Sequence, residues 1–294
     1  MYFPFLRGKQ FEIEALLEVP SRVYSNTLPI IEPVNLPRRK LYKSLADNNI
    51  PFILITNPFH PAGNRVITSE IQVLVDTDLS GYQGLSLGFI IDNRFSVNEL
   101  ANFFANNSNL DKVIIFNYNP LIADLIAIQN VISANRTAYI VFDEKKTNYT
   151  TRNAFSSYSN LILLTDGFQR ELRNADYPPA STFDSYFASW ATSGWAGIGD
   201  YATIGDHFNL GGGQVYVVTL HVTIQTTGGL EVRHFSSTFN PTVQGFSAQK
   251  FAEANSQLVT SPYTLSLLSS GLDIYRDLDA RNHNPQLGVA KKHQ

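Results

Sequence analysis

Five carboxylates and two carboxamides occupy equivalent places in this chain, each closing a short apolar run. Glu32 follows Leu28–Ile31, Asp92 follows Leu87–Ile91, and Asp143 follows Tyr139–Phe142. Asp166 and Asp200 come just after Leu161–Leu164 and Trp195–Ile198, and Asn57 and Asn117 just after Phe52–Ile55 and Val113–Phe116. Carboxylates gathered at one place repel one another, so each must hold a proton, pair with a cation or bind a metal. An all-oxygen set suits Mg²⁺ or Mn²⁺, with Glu32, Asp166 and Asp200 as the expected ligands. General acid–base work on Glu32, Asp92, Asp166 or Asp200 is the other chemistry such a ring supports. The plainer reading is that Asp and Asn at these places cap the next helix or close Asx-turns. Glu32, set between Ile31 and Pro33, has less local reason to be there because glutamate caps poorly. A site centred on it predicts that Glu32→Gln abolishes turnover and leaves the melting temperature nearly unchanged.

Arg7 and Lys9 follow the first apolar run and add a guanidinium fork and a point charge suited to phosphate or carboxylate. The alternative is that they neutralise the acids, with Arg7 pairing Glu32. The segment Ser193–Tyr201 carries Gly194, Gly197 and Gly199, whose backbone could approach an anion or could equally serve tight strand packing. Asn57, Asn117, Gly197, Gly199 and Tyr201 complete the expected ligand-binding set. Of six histidines, His60 is best placed to act as an acid or base, while His221 reads as a cross-strand packing residue. No HExxH, Walker or kinase signature occurs, and Gly84-Leu85-Ser86-Leu87-Gly88 fits GxSxG only in its letters, since it opens an apolar run rather than sitting on the strand-to-helix turn of a nucleophile elbow.

The elements that would position these groups alternate. With Tyr2–Leu6 added, there are about eight apolar runs, the number that closes a parallel barrel with its chemistry at the strands' carboxyl ends. Helical stretches fall between them: Gln10–Val19, Arg38–Asn48, Val66–Asp76, a segment opened by a Ser96/Glu99 capping box, and one opened by Pro120. An open doubly wound sheet would carry a glycine-rich turn after its first strand, and Arg7-Gly8-Lys9-Gln10 is not one. After Gly199 the pattern changes to two β-rich runs, Val215–Ile224 and Leu230–Phe235, which predict an antiparallel hairpin. Helices over residues 245–258 and 263–279 and a polar tail over 281–294 follow. The expected fold is a single (β/α)8 TIM-like barrel domain over 1–294 with a hairpin insertion at 211–240.

The chain has 294 residues, of which 44% are hydrophobic, enough to bury a large core. The absence of cysteine excludes disulfides, zinc–thiolate sites and cysteine nucleophiles. A net charge of -3 and the lack of a basic stripe with interleaved aromatics oppose direct nucleic-acid binding. No apolar run is long enough for a membrane span and no leader pattern is present, so a cytoplasmic protein is expected.

The opening Tyr2–Glu12, the segment Pro29-Ile30-Ile31-Glu32-Pro33-Val34 and the segment Gly197–Gly205 resemble the beta-family proteins, a phage beta-protein-like family. The resemblance implies a barrel-like α/β domain of bacteria or phages, associated with mobile or defence genes and sometimes neighbouring a nuclease. It assigns no catalytic residue. Two functions follow as expectations. One is a hydrolase or lyase acting on an anionic small molecule, phosphorylated or nucleotide-like, in phage defence. The other is a non-catalytic subunit whose hairpin binds a protein partner such as a nuclease.

Overall fold

The computed structural model describes residues 1–33, 39–59, 68–207, 215–267 and 269–280. They divide into two compact units. The first comprises Met1–Asp166 and Ser189–Ala202 and holds a closed barrel of eight parallel strands. These are β1 (Tyr2–Leu6), β2 (Ile30–Ile31), β3 (Phe52–Ile55), β4 (Leu85–Ile91), β5 (Asp111–Phe116), β6 (Tyr139–Asp143), β7 (Leu161–Thr165) and β9 (Gly197–Asp200). Each coincides with one of the apolar runs. Between them lie α1 (Gln10–Glu18), α2 (Arg39–Asp47), α3 (Thr68–Asp76), α4 (Val97–Asn106), α5 (Ile122–Ser133) and the short α6 (Tyr149–Asn153). The Ser96 capping box forms as expected, with the serine hydroxyl accepting from Glu99 N–H at 3.2 Å.

Closure depends on β9 pairing with β1, in the register Tyr2↔Ile198, Phe3↔Gly199 and Pro4↔Asp200. It also depends on glycine. A Cβ on Gly197 would stand 2.6 Å from the Phe3 ring, and one on Gly199 would strike the Phe3 carbonyl. Two apolar layers hold the barrel. Phe3, Ile53, Val113 and Ile162 fill its inside, while Leu54, Phe89, Phe116 and Phe142 pack outward with Leu100 and Ile128 of the helices and Phe155 of the turn after α6. Strands buried on both faces explain why the sequence runs are continuously apolar rather than alternating.

The second unit comprises Gly167–Ala188 and the described residues from Thr203 onward. The expected hairpin is present as β10 (Thr219–Thr226) and β11 (Gly229–Ser236), but β8 (Ala180–Asp184), contributed between β7 and β9, joins it as a third antiparallel strand. The strand order β10-β11-β8 places β11 at the centre. Leu220 and Phe235 on one face of this sheet pack with Phe251, Leu258 and Tyr275 of α7 (Ser247–Thr260) and α8 (Ser270–Ala280). The last helix begins later than the sequence reading, since residues just after Pro262 form turns. Among the described residues, no helix is long and apolar enough to cross a membrane.

Candidate functional site at the barrel mouth

Side chains alternate along a strand, so a residue two beyond an inward one also points inward. Phe5, Ile30, Ile55, Ile90, Ile115, Val141 and Leu164 belong to one cluster inside the barrel. The residues two positions on are Arg7, Glu32, Asn57, Asp92, Asn117, Asp143 and Asp166. On β9, Gly199 faces the Phe3 and Leu164 side chains, and two further on is Tyr201, itself in the interior cluster. Each of the eight strands therefore delivers one residue to the carboxyl rim.

Asp200 is the exception among the expected acids. Alternation sets it on the outer side of the wall, opposite to Gly199 and Tyr201. There its carboxylate accepts the Tyr2 hydroxyl at 3.0 and 3.1 Å and the Ala202 N–H at 2.7 Å. Burial, and secondarily Asp200, push the Tyr2 hydroxyl pKa well up.

The rim acids are paired rather than crowded. Buried Glu32 accepts from the Arg7 guanidinium with one oxygen and from Phe59 N–H with the other, the latter at 2.6 Å. Asp92 takes Arg94 N–H at 2.7 Å and its guanidinium at 2.5 Å. Asp143 accepts the N–H groups of Lys145 and Lys146 at 3.0 and 3.2 Å, and the Lys146 ammonium lies 3.5 Å from its other oxygen. Tyr201 donates its hydroxyl to that same oxygen at 2.8 Å. The Lys145 ammonium donates to the Asp166 carbonyl at 2.7 Å and stands 3.5 Å from Oδ2. Asp166 Oδ1 and Asn117 Oδ1 are buried, with no hydrogen-bond partner among the described residues.

In each of these pairs the cation is the more exposed member. The side-chain exposures are 53% against 6% for Arg94 and Asp92, and 57% against 16% for Lys145 and Asp166. The same order holds for Lys146 over Asp143 and for Arg7 over Glu32. Among the described residues of the rim, each carboxylate is thus less exposed than the guanidinium or ammonium group paired with it, and Arg94, Lys145 and Lys146 are the partly exposed cations of the set. Arg7 is further fixed over the Phe5 and Tyr201 rings, 5.0 and 5.4 Å from their centroids.

This geometry corrects several sequence expectations. Glu32, Asp166 and Asp200 are not brought together: Asp200 faces away, Glu32 bonds Arg7 and Phe59, and among the described residues no three acids or histidines converge on a metal position. Asn57 is committed to the wall, because its side-chain amide bonds Ile90 N–H and C=O, each at 2.8 Å, beyond the end of the short β3. Gly197 and Gly199 make room for Phe3. Lys9 lies at the start of α1, its backbone N–H donating to Glu12 at 3.0 Å. His60 lies outside the described residues.

Sequence reading missed Arg94, Lys145 and Lys146. The signal was present as Asp-x-Arg at 92–94 and Asp-x-Lys at 143–145. In an Asx-turn the aspartate accepts the N–H two residues on; the Arg94 side chain then folds back over Asp92, whereas the Lys145 ammonium reaches Asp166 and Lys146 returns to Asp143.

Compared with known proteins, the chain matches no family model, and no curated protein matches it.

Proposed function

We propose that the barrel mouth binds an anionic small molecule, phosphorylated or nucleotide-like, and catalyses its hydrolysis or an elimination. The observation that carries this reading is the order of exposure in the four rim ion pairs, with the cation more exposed than its carboxylate each time. Arg7 and Arg94 offer forks for phosphate oxygens, and Lys145 and Lys146 add point charges. Asp166 has the role of proton acceptor. Its Oδ1 is buried with no partner among the described residues, and the Lys145 ammonium stands 3.5 Å from Oδ2. A carboxylate oxygen with an open lone pair can take a proton from water or substrate. A parallel barrel with its polar groups at the carboxyl ends is compatible with an enzyme. A cytoplasmic setting and a part in phage defence belong to this proposal through the resemblance of the opening and Gly197–Gly205 motifs.

The test is a phosphate-release screen over phosphomonoesters and nucleotides. Asp166→Asn should abolish release while pyrophosphate binding persists. Equal turnover in wild type and Asp166→Asn would remove Asp166 from the chemistry. A second reading, a recognition subunit for a protein partner, is favoured by exposed Tyr216, Phe239, Phe246, Tyr263 and Leu265 in the sheet unit. Pyrophosphate binding with no turnover of any substrate, together with partner capture lost on deleting residues 219–236, would favour it.

A further inference from the structure

The sheet unit carries a second set of reactive side chains, distinct from the barrel mouth. Ser181 of β8 is paired in register with Val232 of β11, so it shares a face with His234, and His221 of β10 stands directly opposite His234. Ser181 Oγ lies 2.8 Å from His234 Nε2. His234 Nδ1 lies 2.7 Å from His221 Nδ1. Two ring nitrogens that close share one hydrogen, with one donating and the other accepting. When His234 donates through Nδ1, its Nε2 keeps a lone pair and accepts the Ser181 hydroxyl. His221 then holds the tautomer and ring orientation of His234, the task a carboxylate performs in a Ser-His-Asp triad.

The surroundings favour that state. Burial lowers the His234 pKa to about 4, so the ring is neutral at pH 7 and keeps a nitrogen lone pair to accept the Ser181 hydroxyl. The Tyr177 ring stacks on His234 at 4.8 Å, and Phe168 meets His221 edge-on at 5.1 Å. Aromatic walls suit an uncharged apolar group, and the burial of Ser181 and His234 restricts it to a small one.

We infer that Ser181, His234 and His221 form a serine acyl-transfer centre for small uncharged esters. Ser181 Oγ bonds to the ester carbonyl carbon while its proton passes to His234 Nε2. The ester C–O bond breaks, and the alcohol leaves with that proton. Water then cleaves the acyl-serine, giving up a proton to His234, which returns it to Ser181. Ser181 is the nucleophile, His234 the base and His221 a positioning residue.

Methanesulfonyl fluoride, among the smallest serine reagents, tests this on the intact native chain. Its S–F bond breaks as the Oγ–S bond forms, releasing fluoride and passing the proton to His234. Peptide mass mapping should find the adduct on Ser181 ahead of every other serine, and Ser181→Ala should remove it. His234→Gln should slow labelling about a hundredfold, within the range for general-base assistance. His221→Gln should lower the maximal labelling rate about tenfold and leave the half-saturating reagent concentration unchanged. Native chain without a Ser181 adduct, or labelling as fast in His234→Gln as in wild type, overturns the inference. The mapping needs no variant, so one that fails to fold leaves it decisive, and its outcome is independent of the barrel mouth.

Discussion

Tyr201 donates its hydroxyl to Oδ2 of Asp143 at 2.8 Å, reaching past β7 to tie the loop after β9 to the end of β6. The same ring lies under the Arg7 guanidinium at 5.4 Å and near the Lys146 ammonium at 5.9 Å. Tyr201→Phe keeps the ring and removes the tie. A hydrogen bond to a charged group contributes about 1.5–3 kcal/mol, so a loss of that order is expected in urea denaturation. A midpoint equal to wild type would show the hydroxyl contributes nothing to the folded state.

Glu32 is now expected to be a structural anchor. Glu32→Gln removes the charge that a largely buried Arg7 faces, and breaking one partner of a buried pair costs about 3–5 kcal/mol. The melting temperature should therefore fall together with anion binding. This reverses the expectation, read from the chain alone, that stability would hold while turnover vanished. An unchanged melting temperature would show Arg7 satisfied without it.

Gly199→Ala tests barrel closure. A methyl group there meets the Phe3 carbonyl and the Leu164 side chain, so β9 must shift away from β1. Overpacking of this kind costs about 1–3 kcal/mol, and backbone rather than a flexible side chain stands in the way, so the upper end is expected. Stability within about 0.5 kcal/mol of wild type would mean that the wall accommodates it.

Acid should weaken the sheet unit through His234. Its pKa in the folded chain, about 4, lies below the ordinary 6.5, so below pH 6.5 the unfolded chain binds the proton that the folded one refuses. Stability falls as pH drops from 6.5 toward 4 and loses this contribution below. NMR titration should find the His234 ring still neutral at pH 5, and His234→Phe should flatten the fall. A ring that titrates near 6.5 contradicts this.

Much of the barrel was legible because both strand faces are buried, which writes each strand as an unbroken apolar run ending in a polar residue. The rim was legible for the same reason: two past the last inward apolar residue is a fixed position. Asp200 misled because β9 ends one residue further, so the run-ending acid points outward and Tyr201 takes the inward place. β8 was missed because Ala180–Asp184, with Thr182 exposed, has too little apolar pattern to stand out. The Ser181–His234–His221 contact depends on register between strands distant in sequence, which no local pattern records.

Calorimetric titration with inorganic pyrophosphate, on wild type and on Arg94→Ala/Lys145→Ala/Lys146→Ala, asks whether the cations at the mouth hold an anion. The three side chains are partly exposed, and Asp92 and Asp143 keep their backbone N–H bonds, with the Tyr201 hydroxyl on Asp143, when the cations are removed, so the triple variant should stay folded, as its melting curve will show. Wild type should bind, more weakly as salt rises, and the variant should bind at least about tenfold less tightly, the equivalent of one lost charge-assisted bond. No measurable binding by wild type, or equal affinity in both, contradicts an anion site there.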